Sequence, residues 1–145
     1  MQYKFERLEV WQRAVEYIDV IYSIADRLPI SERFNLASQI KRAATSIALN
    51  IAEGSIGQTD PEQARFLNIA RRSAVETVAC ILLIKRRKYL DDSSELDNAY
   101  AMSATLSRKL QAMRKAVLST ASIARDGASE FEVSDISEAN DEIFE

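Results

Sequence analysis

The chain has 145 residues, 47% apolar and 28% charged, with a single cysteine and no histidine. That is one domain's length and an ordinary soluble composition, able to bury a real core. One cysteine rules out an intrachain disulfide and suits a reducing compartment, and without histidine a zinc site has no plausible ligand set. The net charge of −3 hides an asymmetry. Residues 126–145 hold eight acidic and no basic side chains, which leaves 1–125 with 19 basic against 14 acidic. The body of the chain is therefore mildly basic and its end strongly acidic.

Residues 1–7 read as a lead-in without the apolar stretch of a signal peptide. Leu8, Trp11, Val15, Ile18, Tyr22 and Ala25 recur at alternating three and four, the mark of an amphipathic first helix ending near Leu28. Pro29 closes it, because a residue before proline is pushed out of helical geometry. Ser31 is placed to cap a second helix from about Glu32 to Glu53. Gly54 fits the position just past its end, where a left-handed backbone is wanted.

The second helix carries two neighbouring rows. Ile40, Ala44, Ile47 and Ile51 form an apolar stripe, and Arg42, Ser46, Asn50 and Glu53 form a polar row beside it. Ser55 to Thr59 is a loop. Asp60-Pro61-Glu62-Gln63 is a helix start, with aspartate as cap, proline in the first turn and glutamine at the capping-box position.

The third helix should run from Pro61 to about Lys88. From Ala74 to Ile84 its only polar residues are Glu76 and Thr77. A helix apolar nearly all round must be covered on more than one side. A four-helix bundle covers one side, so a second copy of the chain is expected to cover another. The longest apolar run, Val78 to Ile84, is far short of the ~20 residues that cross a bilayer, and a cytoplasmic location is expected.

After a turn at Tyr89–Ser94, Leu96, Ala99, Ser103, Leu106, Leu110, Met113 and Val117 mark a fourth helix, which should fade near Ala124 and end at Asp126-Gly127. The expected architecture is all-α: an up-down-up-down antiparallel four-helix bundle over residues 1–125. The acidic tail, 126–145, reads as disordered.

Three groups of residues are candidates for function. Gln39, Arg42, Ser46, Asn50 and Glu53 are expected to meet Ser73 and Glu76 of the third helix in a buried polar network that fixes helix register. A pocket using Glu53 and Glu76 for acid–base chemistry is the less favoured reading of the same residues. Lys85-Arg86-Arg87-Lys88 is the densest basic run. With Arg71 and Arg72 on the same helix, and Arg108 and Lys109 on the next, it is the candidate contact for RNA or single-stranded DNA. Arg65, Arg114 and Lys115 add to it. Trp11, Tyr17, Tyr22, Phe34 and Phe66 are assigned to the core rather than to base stacking. No catalytic constellation is found: there is no histidine to serve as base, no Gly-x-Ser-x-Gly elbow and no phosphate-cradling glycine loop. A carboxylate-bridged metal pair lacks its Glu-x-x-His partners. Neither an enzyme nor a cofactor is expected.

The residues also carry a resemblance. Phe5-x-x-Leu8-x-Val10-Trp11-Gln12-x-Ala14 opens it, and Leu28-Pro29-x-x-Glu32-Arg33-Phe34-x-Leu36-x-Ser38-Gln39 continues it. Its most specific part is Arg42-Ala43-Ala44-x-Ser46-Ile47-x-x-Asn50-Ile51-Ala52-Glu53-Gly54, followed by Arg65-Phe66-Leu67-x-Ile69-Ala70-Arg71-x-Ser73-x-x-Glu76. Over roughly residues 5–118 the chain resembles the 23S ribosomal RNA intervening-sequence proteins. It is more distantly similar to the accessory variability determinant proteins of diversity-generating retroelements. That resemblance implies a four-helix protomer, a ring-like homopentamer and no established enzymatic activity. It also implies a role beside nucleic acid or a reverse transcriptase. Arg72 departs from it, standing where the family usually has glycine, and the acidic tail lies outside it. A protein-interaction scaffold without nucleic-acid contact is the alternative.

Overall fold

The computed structural model describes residues 2–57 and 59–141, with side chains described through Gly127. Four α-helices follow one another: α1 (Glu9–Asp26), α2 (Leu36–Ser55), α3 (Asp60–Arg87) and α4 (Ser94–Asp141). Short 3₁₀ turns at Lys4–Arg7 and Ile30–Glu32 precede α1 and α2, and there is no strand among the described residues. Cross-helix contacts fix the directions. Asp26 meets Lys41, Ser46 meets Ser73, Lys85 meets Asp97 and Glu9 meets Lys109. Tyr22 with Thr45, Gln39 with Glu76, Arg71 with Gln111 and Arg27 with Glu95 give each pair a second contact; from one contact to the other one number rises as the other falls, so neighbouring helices run antiparallel. α1 packs on α2 and α4, α3 packs on α2 and α4, and α1 and α3 face each other across the diagonal.

The core is the sum of four stripes. Tyr17, Ile21 and Ile24 of α1, Ile40, Ile47 and Ile51 of α2, Leu67, Ile81 and Ile84 of α3, and Leu96, Leu106 and Leu110 of α4 are fully enclosed. Each such side chain contributes about 1.5–3 kcal/mol relative to exposure in water. The stripes expected on α2 and α4 are the buried ones. On α1 the buried face is turned by one residue from the expected stripe. Val10, Ala14, Tyr17, Ile21 and Ile24 face inward, Leu8, Trp11 and Ile18 flank them, and Tyr22 is exposed. The apolar face of α1 is wide enough to accept either rotation, and the diagonal partner Thr77 selects the one that buries Tyr17.

Several helix ends differ from expectation. Ser31 caps nothing, because Ile30–Glu32 is a 3₁₀ turn and α2 starts only at Leu36. The acceptor there is Glu32, whose Oε2 takes the Leu36 N–H at 3.2 Å and the Asn35 side-chain amide at 3.0 Å. A carboxylate at a helix N-terminus also opposes the macrodipole. With α2 shortened, Phe34 falls in the turn before it and is 89% exposed, not part of the core. α3 is capped by Thr59, one residue before the expected Asp60; its hydroxyl accepts the Glu62 N–H at 3.3 Å. The loop residue Gln58 lies outside the described residues.

Gly54 lies inside α2 with ordinary helical backbone, not beyond its end in a left-handed one. It is small for a different reason. A Cβ there would stand 2.8 Å from Cβ of Phe66, so glycine lets α3 come close to the end of α2. The residue that does turn left-handed is Lys88 (φ 55°), which ends α3 with its N–H on the carbonyls of Ile84 and Lys85. α4 does not stop at Asp126-Gly127 but continues to Asp141, drawing most of the acidic segment into the helix. An interior glycine costs a helix only about 1 kcal/mol against alanine, and no proline follows to end it. Residues 142–145 lie outside the described residues. Among the described residues no helix is long and apolar enough to cross a membrane.

Candidate nucleic-acid interface and the polar seam

The polar row of α2 does meet α3, but on the surface of the protomer. Gln39 Nε2 donates to Glu76 Oε1 at 2.5 Å, and Arg42 donates to Gln39 Oε1 at 3.4 Å. Ser46 and Ser73 share a hydroxyl–hydroxyl bond of 2.9 Å. Asn50 turns back along its own helix, donating to the Ser46 carbonyl and hydroxyl at 2.8 and 3.0 Å. Ser73 is buried and Ser46 and Asn50 are half-buried, while Gln39, Arg42 and Glu76 are exposed. The expected buried network is thus a seam open along one side, because four helices leave nothing to lie over the α2–α3 line.

Glu53 is exposed and stands outside these bonds. Glu76 bonds to Gln39, and Glu53 lies roughly 20 Å further along α2 at 1.5 Å per residue. The two carboxylates are therefore not brought together, and the acid–base pocket proposed for them has no geometry here. Among the described residues no group of three or more His, Cys, Asp or Glu side chains is arranged to hold a metal ion. Cys80 is buried in the core, and burial pushes its thiol up, with Glu76 adding to the effect, so it is a packing residue rather than a nucleophile.

The fully enclosed polar contact is elsewhere. Tyr17 of α1 and Thr77 of α3 meet at 2.6 Å in the middle of the bundle. Thr77 donates its proton to the Ala74 carbonyl at 2.6 Å, so the Tyr17 hydroxyl is the donor between the two. Burial pushes the Tyr17 phenol up, with the Thr77 bond opposing, and keeps it neutral. Ser103 of α4 is buried at the same level, close enough to the Tyr17 hydroxyl to oppose the rise alongside Thr77. Residue spacing places Tyr17 near an apolar stripe but gives no hint that its hydroxyl crosses a diagonal.

The basic residues separate into two places. Lys85, Arg86, Arg87 and Lys88 are all exposed at the end of α3. Successive helical residues turn by about 100°, so they fan around the axis instead of sharing a face, and Lys85 is tied to Asp97 at 2.8 Å. Roughly 20 Å back along α3, by the same rise per residue, Arg71 reaches across to α4 and donates to Gln111 at 3.3 Å. There Arg71, Ser107, Arg108, Gln111, Ala112 and Lys115 line an open groove of about 370 Å³ that contains three cations and, among the described residues, no carboxylate. Lys109 turns the other way and pairs with Glu9 at 3.0 Å. Arg72 is exposed and does not line the groove, and the Arg65 guanidinium lies over the Phe66 ring at 4.7 Å. Arg114 is half-buried, with its Nε enclosed and unpartnered. Of the basic residues singled out from sequence, Arg71 and Arg108 are brought together, and Lys115 completes the set.

The outer face of α3 is the other notable surface. Val75, Leu82 and Leu83 are each more than half exposed, with Ala79 between them. This is the surplus apolar surface that the composition of Ala74–Ile84 foretold.

The fold and these surfaces define an all-α four-helix protein with a cationic groove and an uncovered apolar helix face. Residues 6–112 match the 23S rRNA-intervening sequence protein family, and the chain belongs to that family. A crystal structure at 1.70 Å of a protein of unknown function from the S23 ribosomal protein family of Bacteroides thetaiotaomicron VPI-5482 is similar. It is 26% identical, covers 73% of this chain and 98% of its own, and superposes with a TM-score of 0.68. No protein of curated function matches.

Proposed function

We propose that this chain is a non-enzymatic, cytoplasmic, homo-oligomeric protein that associates with nucleic acid, RNA or single-stranded DNA. The observation that carries the reading is the α3–α4 groove, where Arg71, Arg108 and Lys115 converge without a carboxylate among them. Guanidinium and ammonium groups backed by Ser107 and Gln111 suit phosphate oxygens, and among the described lining residues no carboxylate competes for their charge. Lys85–Lys88 at the end of α3 supplies a second, less focused set of cations. Copies joined through the outer face of α3, in a ring of the pentameric kind that the family resemblance implies, would repeat both sets, and phosphate contacts accumulate with charge. No cofactor takes part in this reading.

The test is fluorescence anisotropy of an end-labelled single-stranded RNA titrated with the full chain at several salt concentrations. Binding should weaken as a power of salt, with log K falling by about 0.7 per phosphate contact on a single strand. Replacing Arg71, Arg108 and Lys115 by alanine together should lower that slope by about two. Binding that is absent, or insensitive to salt, would favour the alternative, a protein-interaction scaffold with no nucleic-acid contact.

A further inference from the structure

A second groove opens where α1 turns into α2. About 800 Å³ in volume, it is walled by Leu28, Pro29, Ile30, Phe34 and Ala37 together with Arg33, Lys41 and Arg42. Its apolar wall is unusually uncovered. Ile30 is 86% exposed, and Phe34 stands out from the turn with the Arg33 guanidinium 5.3 Å from its ring centre. Its one carboxylate, Asp26, is already paired with Lys41 at 3.0 Å. The groove thus offers exposed apolar contacts rimmed by cations, a surface for a segment that alternates apolar and acidic side chains.

The chain contains such a segment. From residue 128 onward Phe131, Val133, Ile136, Ile143 and Phe144 are interleaved with Glu130, Glu132, Asp135, Glu138, Asp141, Glu142 and Glu145, and no basic residue occurs. Its charge is opposite to that of the groove, and its apolar residues match the groove's wall.

Direction decides which copy it serves. The Arg27–Glu95 ion pair places the α1–α2 turn at the same end of the bundle as the start of α4. α4 runs away from that end, and among the described side chains Val117 is its last on the core. From there to Asp141 the helix advances by about 36 Å away from the groove of its own chain. We infer that the acidic C-terminal segment, residues 128–145, docks into the α1–α2 groove of a second copy. The contact is heterologous: one copy gives its tail and another receives it. Tail carboxylates meet Arg33, Lys41 and Arg42, and tail aromatic and aliphatic residues cover Ile30 and Phe34.

The test uses the full chain, mixing unlabelled with ¹⁵N-labelled protein and applying a zero-length carboxylate-to-amine crosslinker, with linked peptides read by mass spectrometry. The expected product joins a carboxylate of 128–145 to Lys41, in pairs that combine a light and a heavy copy. Arg33→Glu and Phe34→Ala should each lower its yield by about tenfold, with helix content unchanged by circular dichroism; both side chains are exposed. Tail crosslinks directed to Lys85, Lys88, Lys109 or Lys115 would overturn the inference. So would links to Lys41 only within one copy, no tail crosslink at all, or a yield unmoved by both variants.

Discussion

The Tyr17 hydroxyl lies 2.6 Å from Thr77 Oγ1, and the two side chains, both fully enclosed, tie α1 to α3 across the diagonal of the bundle. A hydrogen bond between diagonal helices specifies rotation and height together, because a slip of either helix strands a polar group in the core. A stranded buried group costs about 1–3 kcal/mol, more than a formed bond contributes.

That asymmetry predicts unequal single variants. Thr77→Val removes the acceptor that the Tyr17 hydroxyl meets at 2.6 Å, leaving Ser103 as the neighbouring hydroxyl, and should destabilise by about 1–3 kcal/mol. Tyr17→Phe leaves Thr77 bonded to the Ala74 carbonyl, and should cost less, near 1 kcal/mol. The double variant removes both partners and should be clearly less destabilised than the sum. Urea denaturation of the four proteins as a double-mutant cycle measures this; strictly additive values would mean that the contact carries no coupling.

Gly54 makes a prediction whose sign separates two physical accounts. As a helix-interior glycine, its replacement by alanine would ordinarily stabilise by about 0.5–1 kcal/mol. Here the added methyl meets Phe66 Cβ at 2.8 Å, an atom that no rotamer change can move away. Gly54→Ala should therefore force α2 and α3 apart and destabilise by about 1–3 kcal/mol. A rise in thermal midpoint would show that the close approach is not needed.

The turn before α2 predicts a pH dependence. Glu32 Oε1 accepts the Tyr89 hydroxyl at 2.8 Å while Oε2 takes the Leu36 N–H, joining the α1–α2 turn to the α3–α4 turn. The Tyr89 bond first, and the Leu36 N–H second, hold the Glu32 carboxyl below the ordinary glutamate value of 4.5. A depressed folded value means that the contribution is complete above 4.5 and is lost as pH falls through the lower folded value. The same bond raises Tyr89 above 10.0, so its share persists below that pH and disappears as pH rises past it. Glu32→Gln should flatten the acid side of the stability profile, followed by denaturant midpoint between pH 3 and 7. A variant as acid-sensitive as the parent would place the responsible carboxylates elsewhere.

Periodicity made the helices legible because it reports burial, and burial is what folds them. The stripes Ile40-Ala44-Ile47-Ile51 and Leu96-Ala99-Ser103-Leu106-Leu110 needed nothing else. Ends were harder to read, because caps are local contests. Thr59 and Asp60 are both good caps one residue apart, and Glu32 outcompetes Ser31 by reaching two donors. Gly54 shows a deeper limit: a glycine needed for a left-handed turn and one needed for helix contact look identical until the neighbouring helix is in place. The basic residues show the same limit. Arg71, Arg108 and Lys115 come together only because α3 and α4 run antiparallel, while the four adjacent cations of Lys85–Lys88 are dispersed by the helical turn itself.

The proposed assembly and function both depend on the uncovered face of α3. Val75, Leu82 and Leu83 are exposed in the protomer, on a helix whose other apolar side is already in the core. We expect copies of the chain to cover that face, and the cationic grooves to act together in the resulting assembly. Sedimentation velocity of the full chain at micromolar concentration is the most direct measurement. The protein should sediment as one discrete species several times the 16.3 kDa chain mass, reverting to single chains of unchanged helix content when Leu83→Glu places a charge on the face. A well-behaved 16.3 kDa particle in the unaltered protein would contradict that assembly.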